Sequence, residues 1–147
     1  MPRKRHSGVS DQIKASRHRL DDALALFEKG RWRGCMYLAG YSLECLLKAK
    51  LMQRFRCRTM EVLEQLLHSR RLLSRYRSLF THDLERLLQL LEAKDRLKDS
   101  PKTYGAFSLA NEWQPAWRYD ADLGTEGRAE VFLDAVRSVH NWIQNNV

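Results

Sequence analysis

The sequence predicts an all-α protein, an up-and-down bundle of four main helices with one or two short helices. Apolar residues recur at three- and four-residue spacings over long stretches, and no useful stretch alternates with the two-residue period of a strand. Breakers are few, with seven Gly and three Pro in 147 residues. This length suits one domain, which we expect at 9–147 behind a flexible basic segment at 1–8.

The central element is the stretch 30–52, GRWRGCMYLAGYSLECLLKAKLM. Its apolar residues cover most of a helical circumference, which is typical of a helix that neighbours enclose on several sides. Gly40 costs such a helix about 1 kcal/mol relative to alanine, so we expect a second helix to approach closely there. Glu44 and Lys48 stand four residues apart in the order that favours an ion pair. We expect this pair at the surface, or facing a cleft between helices.

A first helix, capped by Ser10 or Asp11, is expected to end about Lys29. Because Gly30 follows directly, this helix and the central one should form an antiparallel hairpin. A shorter helix is expected at 59–73. Residues 70–77 then continue it or form a basic connector.

The second half should begin with a helix that Thr81 caps and that ends near Lys98. Residues 99–105, DSPKTYG, have the composition of a loop. The remaining elements are expected in this order: a short helical piece at 107–113, an acidic loop at 120–127 with Thr125 as a cap, and a closing helix at 128–145.

The formal net charge is +8, and arginine is concentrated at 54–77, where seven Arg accompany two Glu. Such a basic surface suits a polyanion such as RNA or an acidic protein, and equally suits solubility alone. No apolar run reaches the roughly 18 residues of a membrane span, and no apolar segment follows the basic N-terminus as in a secretory signal. The expected location is therefore the cytoplasm, with no membrane partner.

The three cysteines are expected to be small buried hydrophobic residues. Cys35 and Cys45 are ten residues apart, so a straight helix separates them by about 15 Å and excludes a disulfide. No C-x-x-C pair occurs, and we expect neither a metal site nor a cofactor. The histidines at 6, 18, 68 and 140 are expected at the surface or its rim.

The run YLAGYSLECLLKAKL, preceded by Gly30 and Trp32 in a G-x-W step, resembles the second helix of HEPN (higher eukaryotes and prokaryotes nucleotide-binding) domains. The segments T-H-D-L at 81–84 and R-Y-D at 118–120 follow in the family order. The resemblance covers about 9–143. It implies a homodimeric helical bundle that binds a nucleotide or RNA, or that accompanies a nucleotidyltransferase in a toxin–antitoxin or defence system.

Many HEPN domains that this chain resembles are metal-independent ribonucleases in which four to six residues separate an arginine from a following histidine. Arg77 and His82 have that spacing, as do Arg75 and His82. An RNA 2′-hydroxyl can attack its own phosphate if a base removes the proton and a cation holds the developing charge. Here, however, the histidine stands at a helix start and Ser78 follows Arg77, where the family often has Asn or Asp. The alternative is a histidine in a capping turn beside a basic connector.

The resemblance also implies that the W-R-Y-D segment borders a cleft. Arg118 would bind a phosphate there, with Trp117 or Tyr119 stacking on a base. Arg75 would belong to the same ligand set, as would Glu44 and Lys48 if they face the cleft. The alternative is an aromatic cluster that packs over one end of the bundle, and a purely structural bundle could use that cluster as a protein interface.

Overall fold

The computed structural model describes residues 8–74, 78 and 82–147, and these residues form helices and connecting segments with no strand. The all-α prediction is confirmed. The helices, in chain order, are α1 (Val9–Glu28), α2 (Trp32–Phe55), α3 (Met60–Ser69), α4 (Leu84–Leu90), α5 (Lys94–Lys98), α6 (Pro101–Ala110) and α7 (Glu126–Asn146), with a 3-10 helix at Pro115–Tyr119. The predicted flexible segment lies outside the described residues except for Gly8.

Helix α2 is the centre of the bundle, as the sequence predicts. It packs against α1 and α7 and also contacts α3, α4 and the 3-10 helix, and fourteen of its 24 residues are buried. Helices α1 and α2 form the expected hairpin. The turn between them needs the left-handed conformation that Gly30 adopts at φ +71°. The cysteines Cys35, Cys45 and Cys57 are buried and free, as predicted. Burial raises the pKa of the Cys35 and Cys45 thiols to about 11.

The close approach predicted at Gly40 exists, but a side chain makes it rather than a second helix. A Cβ atom added to Gly40 would lie 2.1 Å from Cδ1 of Trp113. Trp113 directly follows the turn after α6. The indole Nε1 donates a hydrogen bond of 2.9 Å to the carbonyl oxygen of Tyr37. The missing side chain at Gly40 therefore admits a large ring against the α2 backbone.

The second half differs from the prediction in two places. The T-H-D-L helix begins at Leu84 rather than after Thr81, because the Asp83 carboxylate caps it by accepting the Arg86 backbone N–H at 3.1 Å. It also ends at Leu90, and Glu92 at φ +54° separates it from α5.

The prediction of a loop at 99–105 is wrong, since α6 begins at Pro101. Proline is tolerated in a first helical turn, where its missing N–H would have no intrahelical partner. The Gly and Pro of this segment therefore lie within a helix.

Thr125 caps α7 by accepting a backbone N–H, as predicted, and Thr59 does the same for α3. The cap of α1 expected at Ser10 or Asp11 is wrong, since this helix begins at Val9 after Gly8 and has no side-chain cap.

His140 is buried, which corrects the expected surface position. The Ser16 hydroxyl donates to the Ser42 carbonyl at 2.9 Å and lies 2.8 Å from His140 Nε2. Because a hydroxyl has one proton, Nε2 must donate to the Ser16 oxygen. Burial lowers the pKa of His140. These hydrogen bonds connect α1, α2 and α7, and burial favours the neutral form of His140 within them.

Within the described part of the chain, none of the helices combines the length and the apolar character that crossing a membrane requires.

The Gly40 contact can be tested by Gly40→Ala. The new methyl group would overlap the Trp113 ring, and we expect a loss of about 1–3 kcal/mol in the free energy of unfolding. Gly105→Ala is the matched control, because it lies inside α6 and its added Cβ meets nothing within 4 Å. It should gain up to about 1 kcal/mol. Urea denaturation measures both, and equal effects would contradict the packing role of Gly40.

Candidate functional site

Glu44 and Lys48 form their predicted ion pair, but it is buried rather than at the surface. Lys48 Nζ lies 3.7 Å from Glu44 Oε1, and Glu44 is only 2% exposed. Burying a charge costs several kcal/mol unless partners compensate it. A buried carboxylate on an otherwise apolar helix therefore marks a candidate site.

His82 supplies the second partner of this carboxylate. Its Nδ1 bonds Glu44 Oε1 across 38 residues of chain, and the residue directly precedes the Asp83 cap of α4. The His82 side chain is 49% exposed. The cluster thus runs from the core to the surface, and Nε2 of His82 makes no hydrogen bond to the described residues.

The electrostatic balance at Glu44 is set first by desolvation, which raises the pKa of its carboxyl group. Lys48 and then His82 act in the opposite direction, and the net direction is upward. When Glu44 is ionised, Nδ1 of His82 carries the proton that it donates. A carboxylate that holds one ring nitrogen determines the tautomer and orientation of the ring. Nε2 is then left with a lone pair that can accept a proton.

Trp113 joins this cluster to the second set of predicted residues. The His82 and Trp113 rings lie edge to face with centroids 5.9 Å apart, and Trp113 stacks on Tyr37 at 6.1 Å. Tyr37 and Arg118 line the same concave surface, and the nearby Tyr37 side chain raises the pKa of the Arg118 guanidinium group. The ring contacts therefore run from His82 through Trp113 to Tyr37, beside an exposed guanidinium group. We call His82, Trp113, Tyr37 and Arg118 the aromatic strip.

The W-R-Y-D residues lie on the 3-10 helix beyond this strip. Trp117 is half-buried, packs on Phe132 at 5.3 Å between centroids, and carries the Arg33 guanidinium 5.4 Å above its ring. Tyr119 is 78% exposed and lies under the Arg118 guanidinium at 4.8 Å. Trp117 thus combines packing over the bundle with a surface position, whereas Tyr119 is available to a ligand.

A concave surface of about 480 Å³ adjoins the Arg118 end of the strip. It lies between the α1–α2 turn and the 3-10 helix and is lined by Leu26, Arg31, Arg33, Gly34, Tyr37, Leu38, Trp117, Arg118, Asp120 and Leu123. Arg33 is held there by Asp120 at 3.4 Å. The floor is apolar and aromatic, and the rim has several guanidinium groups.

The sequence reasoning missed Arg33 and Tyr37, although a signal existed. Arg33, Tyr37, Gly40, Glu44 and Lys48 follow one another at intervals of four, three, four and four residues, which places them along one face of α2. An ordered stripe of polar, aromatic and small residues on an apolar helix would have indicated this face.

The structure brings Glu44, Lys48 and His82 together, and ring contacts lead from His82 to Tyr37, which lines the same concave surface as Arg118. Arg75 and Arg77 lie outside the described residues, as does Thr81. The pairing of His82 with either arginine therefore stays a prediction.

No model of a known protein family, no curated protein and no solved structure matches this chain. The resemblance to HEPN domains rests on the sequence segments given above.

The buried pair predicts a clear coupling between two substitutions. Lys48→Met leaves the Glu44 carboxylate with the hydrogen bond to His82 as its remaining described partner, and we expect a loss of roughly 3 kcal/mol in the free energy of unfolding. In the double variant with Glu44→Met the loss should be smaller than the sum of the single losses. Lys102→Met, at an exposed position in α6, is the control and should change stability little. Additive losses in urea denaturation would contradict the pairing.

Proposed function

We propose that this protein is a HEPN-like module that binds RNA or a nucleotide along the aromatic strip. The observation that carries the proposal is the series of ring contacts that leads from His82 through Trp113 to Tyr37, which lines one concave surface together with Arg118. Guanidinium groups bind phosphate oxygens through paired hydrogen bonds. Trp113 is buried, so the rings accessible for stacking on a base are those of Tyr37, Trp117 and Tyr119. The formal charge of +8 favours such an anionic ligand.

The biological setting of the proposal follows from the sequence resemblance. The module would act in the cytoplasm as a homodimer, beside a separate nucleotidyltransferase of a toxin–antitoxin or defence system. Co-purification of the tagged chain with such a neighbour would support this setting.

Binding of labelled single-stranded RNA, measured by fluorescence anisotropy, tests the strip. We expect Arg118→Gln to weaken binding about tenfold, because a hydrogen bond to a charged group contributes about 1.5 kcal/mol. Arg137→Gln removes the same charge from an exposed position on α7 and should weaken binding less. Equal losses would show that net charge, rather than this site, determines affinity.

A second candidate function is metal-independent RNA cleavage, and the bond between Glu44 and His82 Nδ1 favours it. This bond leaves Nε2 as a general base. Nε2 could take the proton of a 2′-hydroxyl as its oxygen attacks the adjacent phosphorus and the 5′-oxygen leaves. Arg77 is the sequence-predicted clamp for the phosphate charge. In this reaction Glu44 is a positioning residue, since it acts through His82.

Cleavage assays with chelated metal test this second function. If it is correct, His82→Ala should lower the rate by about 10²–10⁴-fold, the usual contribution of general acid–base catalysis. His18→Ala, on the exposed side of α1, should cleave like the unmodified protein. Glu44→Gln should slow cleavage and shift its pH profile. Intact RNA with the unmodified protein would exclude the nuclease and leave the binding proposal standing.

A further inference from the structure

A second basic surface lies at the far end of α2, away from the aromatic strip. We call it the arginine patch, and its members are all exposed: Arg54, Arg56, Arg58, Arg70 and Arg71. Arg54 pairs with Glu92 at 2.6 Å. Among the described residues, no carboxylate forms an ion pair with the other four. The patch therefore carries positive charge that the neighbouring described groups leave largely uncompensated.

Two arginines of the patch lie over the ring of Phe55. The guanidinium carbons of Arg54 and Arg70 lie 6.0 Å and 5.8 Å from its centroid, and the ring is half-buried. Each cation is attracted to the ring, but the two cations repel each other. Glu92 already offsets the charge of Arg54, so a bound anion would compensate mainly Arg70.

The backbone at two patch positions supports a role for the side chains. Arg56 and Arg71 adopt φ values of +54° and +58°, a region that is uncommon for residues other than glycine. Glycine is the usual residue in this conformation after a helix. Arginine at both positions therefore accepts a conformational cost and places a guanidinium group at the surface.

A concave surface of about 520 Å³ continues the patch beyond Arg71. It is lined by His68, Arg71, Leu73 and Ser74. The three polar side chains can all donate hydrogen bonds, and the lining contains no carboxylate. This composition suits phosphate oxygens.

We propose that the arginine patch binds the phosphate backbone of single-stranded nucleic acid. Guanidinium groups match phosphate geometry, and the guanidinium planes that lie over Phe55 can stack on a base, which an acidic protein segment would not use. Eleven residues of α2 separate Phe55 from Glu44, or about 16 Å along the helix. The inference goes beyond the proposed function because it needs neither Arg118 nor His82.

The test measures the salt dependence of binding to labelled single-stranded RNA and DNA of about 20 nucleotides, long enough for several phosphate contacts. The variant replaces Arg56, Arg58, Arg70 and Arg71 with Gln. Each lost phosphate contact should reduce the slope of log affinity against log salt by about 0.7. RNA and DNA should respond alike, because the phosphate groups are the same.

Two matched variants serve as controls. Lysine at the same four positions preserves the charge and should retain most of the slope. Glutamine at Lys98, Lys102, Arg128 and Arg137 removes equal charge from exposed positions elsewhere and should change the slope less. Two double variants, Arg56 with Arg58 and Arg70 with Arg71, should each lose about half of the effect. If the fourfold variant has a lower melting temperature than the unmodified protein, the two double variants are measured in its place.

The proposal is overturned if the fourfold Gln variant and its charge-matched control give equal slopes. It is also overturned if nucleic-acid binding persists while binding of polyglutamate is lost, which would indicate an acidic protein as the partner. Arg118→Gln in the same assay separates this result from the proposed function. If the fourfold Gln variant loses affinity while Arg118→Gln does not, the result supports the arginine patch and counts against the aromatic strip.

Discussion

The other elements of this fold depend on the need to cover helix α2. Apolar residues occupy so much of its circumference that α1 and α7 must pack along it, with shorter helices closing the remaining sides. Glu44 and Lys48 lie on this helix, so covering it also removes them from water. Their burial is thus a consequence of the surrounding apolar sequence, and the Glu44 carboxylate needs compensating partners wherever the chain can supply them.

His82 is one of these partners, and it contacts the Glu44 carboxylate from the surface side. Since one ring nitrogen contacts a carboxylate in the core and the ring itself is half-exposed, the histidine links an interior carboxylate to the surface. Glu44 has a raised pKa because desolvation outweighs the lowering effects of Lys48 and His82. A ligand that changes the hydration of His82 would therefore also change the proton affinity of Glu44.

The sequence alone predicted the all-α class, the central helix, the α1–α2 hairpin and the Thr125 cap, because these depend on local periodicity and composition. It failed at 99–105, where Pro101 is a residue of loops and also of first helical turns. It also misplaced Glu44 and Lys48, since the same four-residue spacing occurs on exposed and buried helix faces. His140 became buried through Ser16, a partner 124 residues away, and no local pattern specifies such a contact.

The contact between Gly40 and Trp113 has a consequence for how this protein can diverge. The ring occupies the volume that any side chain at position 40 would need, while its Nε1 is tied to the α2 backbone at Tyr37. Neither position can change size alone without opening a cavity or creating an overlap. Among relatives these two positions should covary, with a larger residue at 40 accompanied by a smaller one at 113. Trp113 also forms the wall beside His82, so such an exchange would widen the site and alter which ligands enter it.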